Sequence, residues 1–448
     1  MHPTTTLLEK IFLFIKLSAP LTITQFALVA GSFVAIFLSG QYSTVDMAGV
    51  SIGYNIWIAI YMGILGILLG ITPIISQLLG ARKNDGIAIV FHHGLYLAMS
   101  FVILIFLAAF FFLQPLLNYL NLEPAAYEVC INYLSAIAFG VPALFLMCPM
   151  RYTIESHGYT HYSMIIMISG LCISSITSYL FVFGKYGFPE LGGMGAGIGT
   201  TIACWTNFLM YTSILWFKSE FKSYGLLRQW PTLDITYIIE QLRLGIPIGL
   251  SIFCEGSIFS IAGLLMAQFG TSIVAAHQAA ISFTNLFYCI PLSISMASTI
   301  AVAYEVGAKK SDSAMNYAYI ARGLALFLAI LLCSFSFTHI YEISSIYSND
   351  EAQIHLIMTF MSYSVFFSAI DAFGTPIQGI LRGYKDVRSI SYISVGSYWG
   401  VCFPLAYVLI HYFNYGPYSV WIGLLSSVAT ASFLFTLRLA YIQHLRKY

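Results

Sequence analysis

The feature that most constrains this chain is a series of long, nearly charge-free apolar runs. A helix that crosses a bilayer needs about 20 mainly apolar residues. Twelve runs meet that need, near 14–40, 48–77, 89–114, 126–149, 162–184, 194–217, 237–268, 272–304, 316–341, 353–380, 390–412 and 417–440. Only 8% of the 448 residues are charged and 59% are hydrophobic, against about 25% charged in a soluble domain. No water-soluble fold of this length hides that much apolar surface. Lipid accepts it, provided every backbone polar group is satisfied within the chain. The runs are continuous, not ten-residue alternating segments broken by turns, so they read as helices and not barrel strands. The first run continues far past the apolar core of a secretory signal and lacks a small-residue cleavage site, so it reads as a span.

Orientation follows from charge. With both termini and the even-numbered loops on one side, that side receives Lys10, Lys16, Arg82, Lys83, Arg151, Lys218, Lys222, Arg228, Arg243, Lys309, Lys310, Arg322, Arg382, Lys385, Arg388, Arg438, Arg446 and Lys447. The other side receives Lys185 alone. Positive loops stay in the cytoplasm, which predicts cytoplasmic termini. One span more or fewer would invert half the chain and scramble the asymmetry.

The chain also repeats itself at an offset of about 227 residues. Gly80-Ala81-Arg82-Lys83-Asn84-Asp85 recurs as Gly307-Ala308-Lys309-Lys310-Ser311-Asp312. Lys16-Leu17-Ser18-Ala19-Pro20 recurs as Arg243-Leu244-Gly245-Ile246-Pro247, and Gly158-Tyr159 as Gly383-Tyr384. Each half holds an even number of spans, so the repeat is parallel. The expected architecture is two pseudo-symmetric six-helix lobes, 1–217 and 237–448, joined by a polar linker at 218–236. Two such lobes suit a transporter that rocks one against the other.

Charges inside spans are costly, about 2.5–3.5 kcal/mol each on insertion scales, and mark function by default. Two carboxylates lie mid-span, Glu255 in the seventh run and Asp371 in the tenth, with no Lys or Arg at similar depth in the sequence. Such acids can exchange a proton or, with nearby oxygens, hold a hard cation such as Na+ as its ligands. In the eighth run Gln278, Ser282, Asn285 and Tyr288 fall near one helix face and can complete a pocket; Thr375 and Gln378 follow Asp371 by one and two turns.

Other signals point to packing. The Gly-rich run 192–199 lacks a preceding strand and a P-loop lysine, and its G-x-x-x-G spacings predict close helix contact. Pro20 and Pro247 suggest matched kinks. His92 and His93 are adjacent and so not a metal pair, His277 reads as structural, and no basic stretch is long enough for nucleic acid. The eight cysteines form no C-x-x-C pair, so neither a zinc site nor a redox motif is indicated. With neither a metal pair nor a nucleophile beside a base, an enzyme is not expected.

Three stretches resemble the multidrug and toxic compound extrusion (MATE) family, in its NorM-type bacterial branch. They are Val274-Ala275-Ala276-His277-Gln278-Ala279-Ala280-Ile281, Pro189-Glu190-Leu191-Gly192-Gly193-Met194-Gly195 and Gly379-Ile380-Leu381-Arg382-Gly383-Tyr384-Lys385-Asp386. The resemblance covers nearly the whole chain. It implies a monomeric antiporter of the bacterial inner membrane that expels amphiphilic organic cations, drugs and dyes, in exchange for Na+ or H+, with no other cofactor. It implies that Glu255 and Asp371 are the cation-site acids and that Tyr288 stands near the cation. It places Gln278 and the outer-loop Asp350 on the drug path. Relatives carry an acid in the first span where this chain has Ala35, so coupling is expected to rest on the second lobe. A flippase for lipid-linked precursors is the alternative, and it would need basic residues deep in its spans.

Overall fold

The computed structural model describes residues 4–120, 122–227 and 230–445. Arg228, Arg446 and Lys447 of the charge pattern lie outside these residues. The described residues form helices and connecting turns, with no strand. We number the helices that fill the twelve expected spans α1 (Leu7–Tyr42), α2 (Thr44–Gly80), α3 (Asp85–Tyr119), α4 (Pro124–Ala138 and Val141–Ser156), α5 (Thr160–Phe183), α6 (Gly193–Phe217), α7 (Ile235–Phe269), α8 (Thr271–Gly307), α9 (Ser311–Thr338), α10 (Glu351–Gly383), α11 (Val387–His411) and α12 (Tyr418–Leu445). Ten are both long and apolar enough to cross a bilayer, and α4, bent by 45°, makes an eleventh. The 25-residue α6 reaches about 37 Å at 1.5 Å per residue and so spans by length, while its Gly, Thr and Asn residues dilute its apolarity.

The helices gather into two compact units. One contains residues 23–246 and the other residues 1–22 and 247–448. Both α1 and α7 therefore change unit partway along, at matching places next to Pro20 and Pro247. The start of α1 is anchored in the unit built mainly from the second half. There Phe14 packs on the Tyr317 ring at 6.5 Å, the Lys10 ammonium lies 6.0 Å from that ring, and the Thr4 hydroxyl meets the Tyr317 hydroxyl at 3.0 Å.

The repeat is written in the backbone. Arg82 and Lys309, 227 residues apart, end their helices in the left-handed region at φ 57° and 58°. Behind them Lys83 N–H donates to Leu78 O and Lys310 N–H to Glu305 O, each at 2.9 Å. This is the helix stop in which the amide after a left-handed residue returns to a carbonyl one turn back. A second matched stop pairs Gly158 with Lys385, again 227 apart, at φ 87° and 62°. Its return bonds run from Tyr159 N–H to Ile154 O and from Asp386 N–H to Leu381 O. The Gly-Tyr pairs matched in the sequence, at 158 and 383, are thus two residues out of register. In the true register Arg151 and Glu155 correspond to Gln378 and Arg382, and Tyr61 to Tyr288.

In the unit of residues 23–246, α5 and α6 meet as the glycine spacing predicts. A Cβ on Gly195 would lie 2.5 Å from Phe181 C and 2.6 Å from Val182 N, so only glycine lets these backbones touch. The α6 N-terminus is held by Asp46, whose carboxylate accepts from Gly193 N–H at 2.5 Å and from the Ser43 hydroxyl at 2.6 Å. The described parts of the linker pack onto this unit. Its short helix Ser219–Ser223 inserts Phe221 into a core of Phe91, Met150, Ile154 and Tyr211. Further on, His93 Nε2 accepts from Asp234 N–H at 3.0 Å, Tyr96 donates to Pro231 O at 3.0 Å, and the Trp230 ring stands 5.0 Å from His92. The adjacent histidines thus seat the linker together, by ring contact and by hydrogen bond.

Candidate functional site

The two mid-span carboxylates belong to one unit. Glu255 is held on α7 and Asp371 on α10, and they are only 9% and 4% exposed. They are near enough to interact electrostatically. Each has neutral donors supplied by helix periodicity. Thr375, one turn beyond Asp371, donates its hydroxyl to Asp371 Oδ1 at 2.9 Å. Gln378, two turns along the same helix, and Tyr288 of α8 place their side chains within hydrogen-bonding reach of the Glu255 carboxylate.

Two neighbours were not anticipated. Tyr398 is buried and close enough to Glu255, Asp371 and Tyr288 to feel their charge. It lies in α11 where Val395–Trp399 form a widened helical turn, a local irregularity common at functional sites. No spacing rule finds it, although the glycines 396 and 400 that flank it hint at irregular backbone. The other is Arg382. The sequence placed no basic residue near the acids, yet Arg382 is buried at 4% exposure, donates to Ser295 Oγ at 3.0 Å, and acts electrostatically on Glu255. Its long side chain carries charge well away from its own Cα, which linear position does not reveal. Arg151 is a second buried arginine, closed by Glu155 at 2.7 Å. Arg382 is the penultimate residue of its helix and Arg151 lies in the last turns of its own, so both enter the protein interior from helix ends. Each has an internal polar neighbour and so is not a free anion receptor.

The donor set is oxygen only: two carboxylates, the hydroxyls of Thr375 and Tyr288, and the Gln378 amide. Among the described residues no three His, Cys, Asp or Glu side chains gather as a metal cluster. Such oxygens suit a hard monovalent cation or a proton, not zinc or a redox metal. In the repeat register Glu255 and Asp371 correspond to Leu28 and Leu144. In the other unit the buried acid among the described residues is Glu155, already neutralised by Arg151. Ala35 is buried in α1 and its carbonyl accepts from the Ser39 hydroxyl at 2.9 Å. The arrangement is therefore lopsided.

The residues expected on a substrate path divide. Gln278 lines a cavity of about 640 Å3 with Thr271, Ser272, Ser282, Tyr347 and Gln353. Asn285 is exposed on α8 and does not line it. Asp350 is exposed, and its carboxylate caps α10 by accepting from Gln353 N–H at 3.3 Å, while the flanking Ser348 and Gln353 line the cavity. His277 is fully buried beside Gln278 with its ring 5.5 Å from that of Trp421, consistent with a packing role.

The MatE family model matches the chain twice, at residues 20–180 and 247–408, once in each half. The chain belongs to the MatE family. The probable multidrug resistance protein NorM of Bacillus cereus is 39% identical over 448 residues, which is all of this chain and 99% of that protein. The protein of the same name from Oceanobacillus iheyensis is 38% identical over 443 residues, 99% of each. The fold matches that of a multidrug resistance MATE family transporter of the MOP superfamily in its outward-facing conformation, with a TM-score of 0.89, 17% identity and all of both chains covered. It also matches a MOP superfamily transporter from Pyrococcus furiosus, with a TM-score of 0.88, 17% identity and the same coverage. As a MatE-family member the chain is a multi-pass membrane transporter of the NorM type, with the two-lobe repeat fold, and not an enzyme.

Proposed function

We propose that this chain is an antiporter that exports amphiphilic organic cations in exchange for Na+ or H+, with Glu255 and Asp371 as its coupling site. The observation that carries the reading is a pair of buried carboxylates on α7 and α10, furnished with hydroxyl and amide groups and with no counterpart in the repeat. Emptied, such a site holds negative charge that attracts a cationic solute. Filled by a proton or Na+, it is neutralised and lets the solute go. Tyr288 and Gln378 can donate hydrogen bonds to the charged Glu255, and Gln278 is placed to meet solute in the cavity it lines. The names of the full-length relatives, multidrug resistance proteins, favour a broad range of drugs and dyes. The charge asymmetry of the loops favours both termini in the cytoplasm; the bacterial full-length relatives favour the inner membrane, where we expect a monomer. The flippase alternative is disfavoured because the buried Arg151 is already paired and Arg382 is turned toward Ser295 and Glu255.

The test is reconstitution into vesicles loaded with ethidium, with a Na+ gradient or a pH gradient imposed separately. Efflux that follows one gradient identifies the coupling ion. Efflux indifferent to both, with the protein folded and inserted, overturns the antiport reading.

A further inference from the structure

Where the linker helix meets the turn between α4 and α5, a lysine is boxed in by aromatic rings. The Lys218 ammonium lies 2.8 Å from the centroid of the Tyr159 ring, 4.8 Å from Tyr162 and 6.0 Å from Phe221. Tyr159 donates its hydroxyl to Glu220 Oε2 at 2.6 Å, which fixes the nearest ring and brings a carboxylate to the rim. All of these residues lie in one compact unit. Three of the supports are seated by contacts other than Lys218: Phe221 is fully buried in the core, and Tyr159 and Tyr162 pack against that same core. The box therefore does not owe its shape to the lysine. Lys218 enters the box on a four-carbon stem with three rotatable donors.

Rings that present their faces to a cation, with an acid beside them, are the recognised receptor for alkylammonium groups. We propose that Tyr159, Tyr162, Phe221 and Glu220 form a binding site for an alkylammonium ion, in which Lys218 is a tethered competitor. The chemistry needs no more than the lysine side chain shows already: a cationic nitrogen on an alkyl stem, seated on aromatic faces. Supporting this, Glu220 acting on the Tyr159 hydroxyl pushes that phenol up to about 12, so the ring stays neutral. Burial lowers the Lys218 ammonium from its ordinary range, so the resident cation is less comfortable in the cage than in water. A quaternary ammonium, which sheds its hydration more readily, is the better-matched occupant. The site is separate from Glu255 and Asp371, which lie in the other unit, and does not depend on which solute is exported.

The purified full-length chain, held in detergent at constant salt, is titrated with n-butyltrimethylammonium and binding is read by calorimetry. Lys218→Ala should bind about tenfold more tightly than wild type, because the tethered competitor is gone. Lys218→Met, which keeps the cage filled with an uncharged chain, should show no gain. Adding Tyr159→Leu to Lys218→Ala should remove the gain. Equal affinity in wild type and Lys218→Ala, or a gain that survives Tyr159→Leu, overturns the proposal. If Lys218→Ala does not fold, Lys218→Ser, whose hydroxyl suits the start of the linker helix, is read in the same way.

Discussion

Replacing Asp371 by Asn keeps the side chain's shape while removing its charge. Thr375 can still donate to the remaining carbonyl oxygen, now 2.9 Å from its hydroxyl, so the packing of α10 is undisturbed. What is lost is one carboxylate from a buried site. A hydrogen bond or contact to a charged group is worth about 1.5–3 kcal/mol, so the half-saturating concentration of the coupling cation should rise about 10- to 150-fold. Thr375→Val removes only a neutral donor, worth about 0.5–1.5 kcal/mol, and should cost about 2- to 10-fold. The assay is the initial rate of ethidium efflux from vesicles against the imposed Na+ concentration or pH gradient, with melting and size-exclusion profiles showing that each variant is folded. Glu255→Gln should behave like Asp371→Asn. If both carboxylate variants shift the dependence by less than about twofold while Thr375→Val shifts it as much or more, these acids do not hold the cation.

Further expectations concern the fold and its pH response. Glu155→Gln leaves Arg151 buried without its counter-charge and should cost about 3–5 kcal/mol, seen as a lower melting temperature; Arg151→Met with Glu155→Leu should recover most of it. Gly195→Ala drives a methyl into the Phe181–Val182 backbone at 2.5–2.6 Å and should destabilise by about 1–3 kcal/mol. Gly63→Ala, where a Cβ meets nothing within 4 Å, should be neutral or slightly stabilising in the same thermal assay. Burial among Phe221 and Tyr224 holds the His157 imidazole down to about 4 from the usual 6.5. The unfolded chain then binds the extra proton first, so this contribution is complete above pH 6.5 and is lost as pH falls toward 4. His157→Phe should flatten that part of the melting-temperature profile, and an unchanged slope would refute the assignment.

The sequence alone determined the solvent, the helix count and the duplication. Those follow from the length of apolar runs, the one-sided placement of Lys and Arg, and the 227-residue offset, all properties of linear order. It also exposed Glu255 and Asp371, because a carboxylate inside an apolar run is conspicuous wherever the fold puts it. Linear order could not show which side chains meet. Gln378 and Thr375 reach the acids because helix turns bring them onto one face, whereas Tyr398 arrives from another helix through a widened turn, and Arg382 through the reach of its own stem. The repeat register likewise came from the paired helix stops and not from the Gly-Tyr match, since hydrogen bonds mark equivalent positions even where residues differ. Only the tertiary structure decided that the carboxylates share one unit, that the start of α1 packs with the second half, and that Lys218 sits in an aromatic box. Burial and charge pairing are properties of the packed neighbourhood, and distant segments supply that neighbourhood.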